Sequence, residues 1–122
     1  MGKKILIVDD EKDLIETVTF RLQASGYEVI SANDGKAGLE KVKTEKPDLV
    51  ILDIMLPKMD GYKVCGLLKA DSRYSKIPII LFTARAQESD IKMGEGVGAN
   101  VYITKPFEPQ VLMAKIKELI GE

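Results

Sequence analysis

The sequence predicts an α/β fold, a doubly wound five-stranded parallel sheet with five helices, and three observations carry that expectation. Residues 5–8, 49–52 and 77–82 are apolar runs without polar alternation, the mark of strands buried on both faces. Between them lie stretches with apolar residues at helical spacing, and such alternation implies right-handed crossovers with helices on both faces of a parallel sheet. The central run, residues 49–52, passes directly into an acid, Asp53. In open α/β sheets, ligand sites form at the carboxyl edge where that acid is carried.

The first strand takes residues 5–8 and ends in Asp9, Asp10 and Glu11. Leu14, Val18 and Leu22, at i, i+4 and i+8, set the inner face of a helix that stops at Ser25 and Gly26, as a glycine C-cap dictates. Residues 27–32 are a short strand, and Asn33, Asp34 and Gly35 turn the chain into a second helix with Gly38, Leu39 and Val42 inside. Pro47 ends that connection; the third strand begins near Asp48, and its segment closes at Pro57, Asp60 and Gly61. A third helix then carries Val64, Cys65, Leu67 and Leu68 and fades by Asp71 and Ser72. Residues 77–84 form the fourth strand, closing at Thr83. The helical pattern of residues 87–97 holds Gly94 and Gly96. Each interior glycine costs a helix roughly 1 kcal/mol against alanine, so this helix is expected to be short or mobile. Residues 100–103 are the last strand, 104–107 a turn, and 108–120 an amphipathic helix with Leu112, Ile116 and Leu119 or Ile120 toward the core. With no repeat or linker in view, residues 1–122 read as one domain.

Composition removes several function classes. The chain has no histidine, which excludes His-based metal sites, triads and general bases. A formal net charge of −1 gives no basic footprint for nucleic acid. The single cysteine, Cys65, excludes an internal disulfide, fits a reducing compartment, and shares a helix face with Leu68 as a core residue does. The early apolar run is too short for a signal peptide, and no run approaches the roughly 18 apolar residues of a membrane span. Leu6 stands where a myristoylation signal needs Ser or Thr. The expected location is the cytoplasm.

Parallel strands align their carboxyl ends, so Asp9, Asp10, Asp53, Thr83 and Lys105 are expected to meet at one edge. Singly, each has a plain structural use: Asp9 and Asp10 as helix caps, Thr83 as a strand-end hydroxyl, Lys105 as a solvated loop residue, Tyr102 as a strand-edge aromatic. Together at successive strand ends they mark a site. Three carboxylates in one crevice repel, each pair at about 4 Å by roughly 4 kcal/mol at an effective dielectric near 20. A cation is needed, and an all-oxygen ligand set without His or Cys suits Mg²⁺. Lys105 adds a second positive charge from the far side.

The motifs VDDE at the first strand end, LDIMLPKMDG around the third, FTA after the fourth and GANVYITKPF across the fifth resemble, in order and spacing, the response-regulator receiver domain of two-component signalling. The resemblance spans the chain from Lys4 to Leu119 and implies the flavodoxin-like receiver fold with strand order 2-1-3-4-5. It implies that Asp53 is the phosphoacceptor, attacking a phosphohistidine of a sensor histidine kinase or phosphotransfer domain. Asp10, Asp53 and the backbone carbonyl of Met55 would bind Mg²⁺, with Asp9 acting through a water. Lys105 would pair with one phosphoryl oxygen and Thr83 would move to donate to another. Tyr102 would be the switch aromatic turning inward behind Thr83, and the Lys105-Pro106 bond would be cis.

On the same resemblance the kinase docks on the first helix and the last βα loop, near Leu14, Ile15, Pro106 and Phe107. Output to a downstream protein passes through the face of the fourth helix, fifth strand and fifth helix. The protein is then no enzyme in the turnover sense; it assists its own phosphorylation and dephosphorylation. Met55 and Arg85, two residues beyond acceptor and switch threonine, are neither acids nor amides, so phosphate loss is expected to be slow. Asn100, Val101 and the LMAKIKELI helix lack the acids and arginines of winged-helix regulators. A stand-alone receiver without direct nucleic-acid contact is therefore expected, the alternative being the receiver fragment of a longer DNA-binding transcriptional regulator. A flavodoxin needs a Ser/Thr/Gly-rich loop where this chain has Asp9, Asp10 and Glu11. An aspartyl phosphatase needs an acid where it has Met55.

Overall fold

A computed structural model describes residues 2–84 and 87–121 of the chain. Ten elements alternate without exception: β1 (Lys4–Val8), α1 (Lys12–Ala24), β2 (Glu28–Ala32), α2 (Gly35–Glu45), β3 (Leu49–Asp53), α3 (Gly61–Ala70), β4 (Ile79–Thr83), α4 (Glu88–Gly96), β5 (Val101–Thr104) and α5 (Pro109–Ile120). The strands form one sheet in the order β2-β1-β3-β4-β5, and the pairs within it are parallel. That is the expected doubly wound, flavodoxin-like architecture.

Alternation along each buried strand divides the core in two. Leu6, Val8, Val50, Leu52 and Leu81 face one way and meet Val42 of α2 and Val64, Cys65 and Leu68 of α3. Ile5, Ile7, Ile51, Ile80 and Phe82 face the other way and meet Val18 and Leu22 of α1 and Leu112 and Ile116 of α5. Every residue of β3 and of β4 is buried, the end acid and threonine included. At roughly 1.5–3 kcal/mol per fully buried aliphatic side chain, these strands fix the register of the sheet. A slip of one residue would turn each strand over.

Local chemistry sets the helix ends. Asp34 and Asp60 cap α2 and α3, accepting the N–H groups of Ala37 at 2.7 Å and Lys63 at 3.0 Å. Gly26, with φ 93°, follows α1 in the left-handed conformation its sequence position implied. Both Leu119 and Ile120 are half-buried against the α1/α5 core. Leu67, by contrast, points outward and is 44% exposed, so the apolar face of α3 is Val64, Cys65 and Leu68. The Cys65 thiol lies wholly in that core, and burial pushes it up to about 11. No helix among the described residues is long and apolar enough to cross a membrane.

The glycines of α4 have different reasons to be there. A Cβ on Gly94 would stand 2.8 Å from Cδ2 of Tyr102 and 3.2 Å from Cδ1 of Leu81, so its absence lets α4 close onto β5. A Cβ on Gly96 would meet nothing within 4 Å beyond its own helix among the described residues. Alanine at 96 therefore gains helix propensity freely, and Gly96→Ala should raise stability by about 0.4–1 kcal/mol. Gly94→Ala makes the same local gain but forces the Tyr102 ring aside, and overpacking of about 1–3 kcal/mol leaves a net loss. Paired thermal melts check the two opposite signs.

Candidate functional site

The carboxyl edge of the sheet gathers residues from β1, β3 and the turn after β5. Asp9 follows β1 and is 0% exposed, and Asp53, the last residue of β3, is 4% exposed. Lys105 follows β5, and its ammonium lies 3.0 Å from Asp9 Oδ2, 3.2 Å from Asp53 Oδ2 and 2.9 Å from Glu11 Oε1. The other oxygens are also engaged: Asp9 Oδ1 accepts the N–H of Glu11 at 2.8 Å, and Asp53 Oδ1 that of Met55 at 3.2 Å. The lysine thus sits in direct contact with two of the acids rather than across the site from them.

Asp10 projects outward and shares an open depression with Met55, Leu56, Pro57 and Asp60. Asp9, Asp10 and Asp53 each present an oxygen, and these oxygens lie within 4.8 Å of one another. A carboxylate trio of that spacing, with no nitrogen or sulfur donor among them, fits a hard divalent cation. Among the described residues the trio is also short of positive charge: with Glu11 it sets four carboxylates against one ammonium. Burial raises Asp53 above the ordinary aspartate value, and the charge of Asp9 adds to it, against the opposing pull of Lys105. Lys105 moves the other way. Burial would lower it, but hydrogen bonds to Glu11 and Asp9 and the charges of Asp53 and Asp9 hold it above the usual lysine range.

The backbone that carries Asp53 is fixed from behind. A Cβ on Gly61 would strike the Asp53 carbonyl oxygen, so only glycine lets the start of α3 pack there. Gly61 donates its N–H to Ile54 O at 2.9 Å, closing the loop between β3 and α3. Thr83, 1% exposed, ends β4 one residue beyond Phe82, the register partner of Asp53. Its carbonyl accepts the Lys105 N–H at 2.7 Å, which ties the lysine's backbone to the threonine's strand. Tyr102 is half-buried against Gly94 and the core below α3, and the Lys105-Pro106 bond is cis. Arg85 lies outside the described residues.

Two participants were not foreseen from the sequence. Glu11 supplies the third carboxylate on Lys105, and the Phe82 ring lies beneath the same ammonium, 4.9 Å from ring centre to Nζ. Phe107 packs edge-on against Phe82 at 5.3 Å. Position in VDDE gave the only available hint of Glu11, two residues from Asp9. The N-cap position of α1, the plain use that Asp9 or Asp10 alone would have had, falls to Glu11, whose side chain makes no capping bond.

A groove between α1 and α5 runs up to this edge, lined by Leu14, Thr17, Val18, Pro106, Phe107 and Leu112. Three of the four residues expected at a docking face, Leu14, Pro106 and Phe107, line it. Ile15 is half-buried against the core beneath α1.

The chain matches the family model described as response regulator receiver domain over residues 5–117. It is 45% identical over 120 residues to the alkaline phosphatase synthesis transcriptional regulatory protein PhoP of Bacillus subtilis, covering 98% of this chain and 49% of that protein. With the DNA-binding response regulator MtrA of Mycolicibacterium paratuberculosis it shares 41% identity over 117 residues, 96% of this chain and 51% of that one. The chain spans about half the length of these curated relatives. Among solved structures, a CheY-like response regulator receiver domain protein from Methanospirillum hungatei superposes with TM-score 0.91 at 34% identity, covering 99% of this chain and 95% of that one. Chemotaxis protein CheY4 of Vibrio cholerae gives TM-score 0.90 at 31% identity, over 98% and 99%. Sequence and fold agree across nearly the whole length, and the chain belongs to the response regulator receiver domain family.

Proposed function

We propose that this chain is a phosphoacceptor switch of two-component signalling, in which Asp53 takes a phosphoryl group from a phosphohistidine of a sensor histidine kinase or phosphotransfer domain, with Mg²⁺ as cofactor. The observation that supports it most is the buried Asp53 carboxylate, 3.2 Å from Lys105 and within 4.8 Å of two further acids. Asp10, Asp53 and the Met55 carbonyl would hold Mg²⁺, and Asp9 through a water. When bound, the ion neutralises charge on the phosphoryl oxygens. An Asp53 oxygen attacks phosphorus, the bond to the imidazole nitrogen breaks, and the imidazole leaves as a base that regains its proton from water. Lys105 offsets charge on an equatorial oxygen, and Thr83 donates to another. As a phosphoacceptor the protein assists its own phosphorylation and dephosphorylation and is not an enzyme in the turnover sense.

The phosphoryl group adds nearly two negative charges. Driving a switch from 1:99 to 99:1 takes about 5.5 kcal/mol, the scale of a few charge-assisted hydrogen bonds. Tyr102 turning behind Thr83 would move α4, which rests on it through Gly94. Output then passes to a protein target through α4, β5 and α5, where Met93 and Val111 are exposed. The kinase would use the α1–α5 groove. A cytoplasmic location fits the free, buried Cys65, and a net charge of −1 fits signalling through protein rather than direct nucleic-acid contact. The relatives named as transcriptional and DNA-binding regulators, twice as long, favour a second reading, the receiver part of a longer regulator. The genomic reading frame past Glu122 separates the two.

Incubation with Mg²⁺ and acetyl phosphate should add one phosphoryl group to the wild type and none to Asp53→Ala, read by intact-protein mass spectrometry. Phosphate uptake by the alanine variant equal to wild type would sink the acceptor assignment. The raised Asp53 pKa also has a stability consequence. Between the ordinary aspartate value of about 3.9 and its own value, the native site holds a proton that the unfolded chain has released, so this group destabilises the fold as pH rises through that window. Asp53→Asn should therefore melt higher than wild type at pH 7 without divalent cation, and the gain should shrink toward pH 4. Lifetime depends on Met55, 59% exposed beside the acceptor and unable to orient a water. Met55→Asn should speed phosphate loss severalfold after donor removal, and an unchanged rate refutes that role.

A further inference from the structure

We propose that Glu11 is a positioning residue that occupies the Lys105 ammonium in the resting site and competes with the incoming phosphoryl group for it; this rests on the acceptor reading of Asp53. An ammonium has three N–H donors. Here all three go to carboxylates, at 3.0 Å to Asp9, 2.9 Å to Glu11 and 3.2 Å to Asp53. A phosphoryl oxygen can receive a bond from Lys105 only when one of these is given up. The three partners differ in what their release costs. Asp9 and Asp53 have side chains 0% and 5% exposed, and a buried carboxylate stripped of its cation is strongly disfavoured. Glu11 is 60% exposed, so its carboxylate passes into water at little cost. It is the partner that yields.

Nothing else engages that carboxylate among the contacts described. Glu11 opens α1, yet its side chain makes no capping bond there. Its backbone is fixed instead, by the 2.8 Å bond from its N–H to Asp9 Oδ1, which aims the side chain at Lys105. Release of the lysine thus frees the side chain at the head of α1 while leaving the backbone in place. Because α1 and Lys105 line the same groove, the state of the acceptor becomes legible on that surface.

The test is the rate of phosphorylation by acetyl phosphate at saturating Mg²⁺, over a range of donor concentration, for wild type, Glu11→Asp and Glu11→Gln. Aspartate keeps the charge but is shorter by one carbon–carbon bond, about 1.5 Å, and cannot hold Nζ at the same place. An exposed ion pair of this kind corresponds to a two- to fivefold effect. Both variants should lower the half-saturating donor concentration by about that factor, with the maximal rate unchanged within about twofold, since Glu11 is already released when phosphoryl transfer occurs. If only glutamine has the effect, the cause is the negative field of Glu11 on an anionic donor, and the competition for Lys105 is overturned. It is equally overturned if neither variant shifts the half-saturating concentration, or if the maximal rate falls instead. Should wild type and both variants, all folded by circular dichroism, take no phosphate, the acceptor reading itself fails and this inference with it.

Discussion

At the carboxyl edge of the sheet a single ammonium, that of Lys105, stands among the carboxylates of Asp9, Glu11 and Asp53, and the rest of the structure is arranged around keeping it there. Two of those acids are almost wholly buried. Removing the cation from a buried pair costs about 3–5 kcal/mol, a large share of the stability of a small domain. The lysine must therefore arrive at the right place, and it does so from the end of β5, on a backbone bonded to the carbonyl of Thr83. Phe82 lies beneath it and Phe107 props that ring. The charge is still not balanced, because Asp10 joins the acids and no second cation from the chain does among the described residues.

Rigidity is distributed unevenly about this edge. On the β1 and β3 side, strands buried on both faces fix the acids, and α3 is locked against the Asp53 carbonyl at Gly61. Toward β5 the support is thinner. Nine-residue α4 rests on Tyr102 through Gly94, and the Tyr62 hydroxyl reaches across to donate to the carbonyl of Asp90 at 2.8 Å. These contacts are made through side chains, whereas β3 is held by backbone pairing on both edges. A displacement of Tyr102 would be felt by α4 before it was felt by β3, which is the asymmetry a switch needs.

What the sequence reveals is governed by how local the cause is. The buried strands were legible because continuous apolar runs admit few alternatives, and Asp53 was legible because an acid at the end of such a run is out of place. Boundaries moved where backbone pairing decided them. Tyr27 falls outside β2 because its N–H goes to Leu22 O, and Thr104 falls inside β5 because it pairs with Thr83. Glu11 was illegible as a site residue, since a glutamate at the start of a helix is common and only the arrival of Lys105, from the other end of the chain, gives it a partner. By sequence alone Gly94 is a weakness in a helix. Its meaning lies in Tyr102, and no local pattern encodes that contact. Leu67 belongs by type with the apolar residues of its helix, but its direction puts it in solvent.

The fully occupied lysine makes the resting site discrete rather than graded. With three donors and three acceptors, Lys105 has no spare capacity to lean gradually toward a new anion; it must exchange one partner for another. The buried acids cannot yield cheaply and the exposed one can, so the exchange has a preferred course set by burial alone. A charge-assisted bond is worth about 1.5–3 kcal/mol, and surrendering an exposed ion pair returns at most about 1 of that. In the proposed phosphoacceptor role, most of the new interaction energy would therefore remain to act on Thr83 and the softer elements beyond it. A site that kept Lys105 wholly buried among fixed acids would hold the same charges but would spend the incoming energy at the acceptor. In that role, the exposed carboxylate at the head of α1 is what would let it travel.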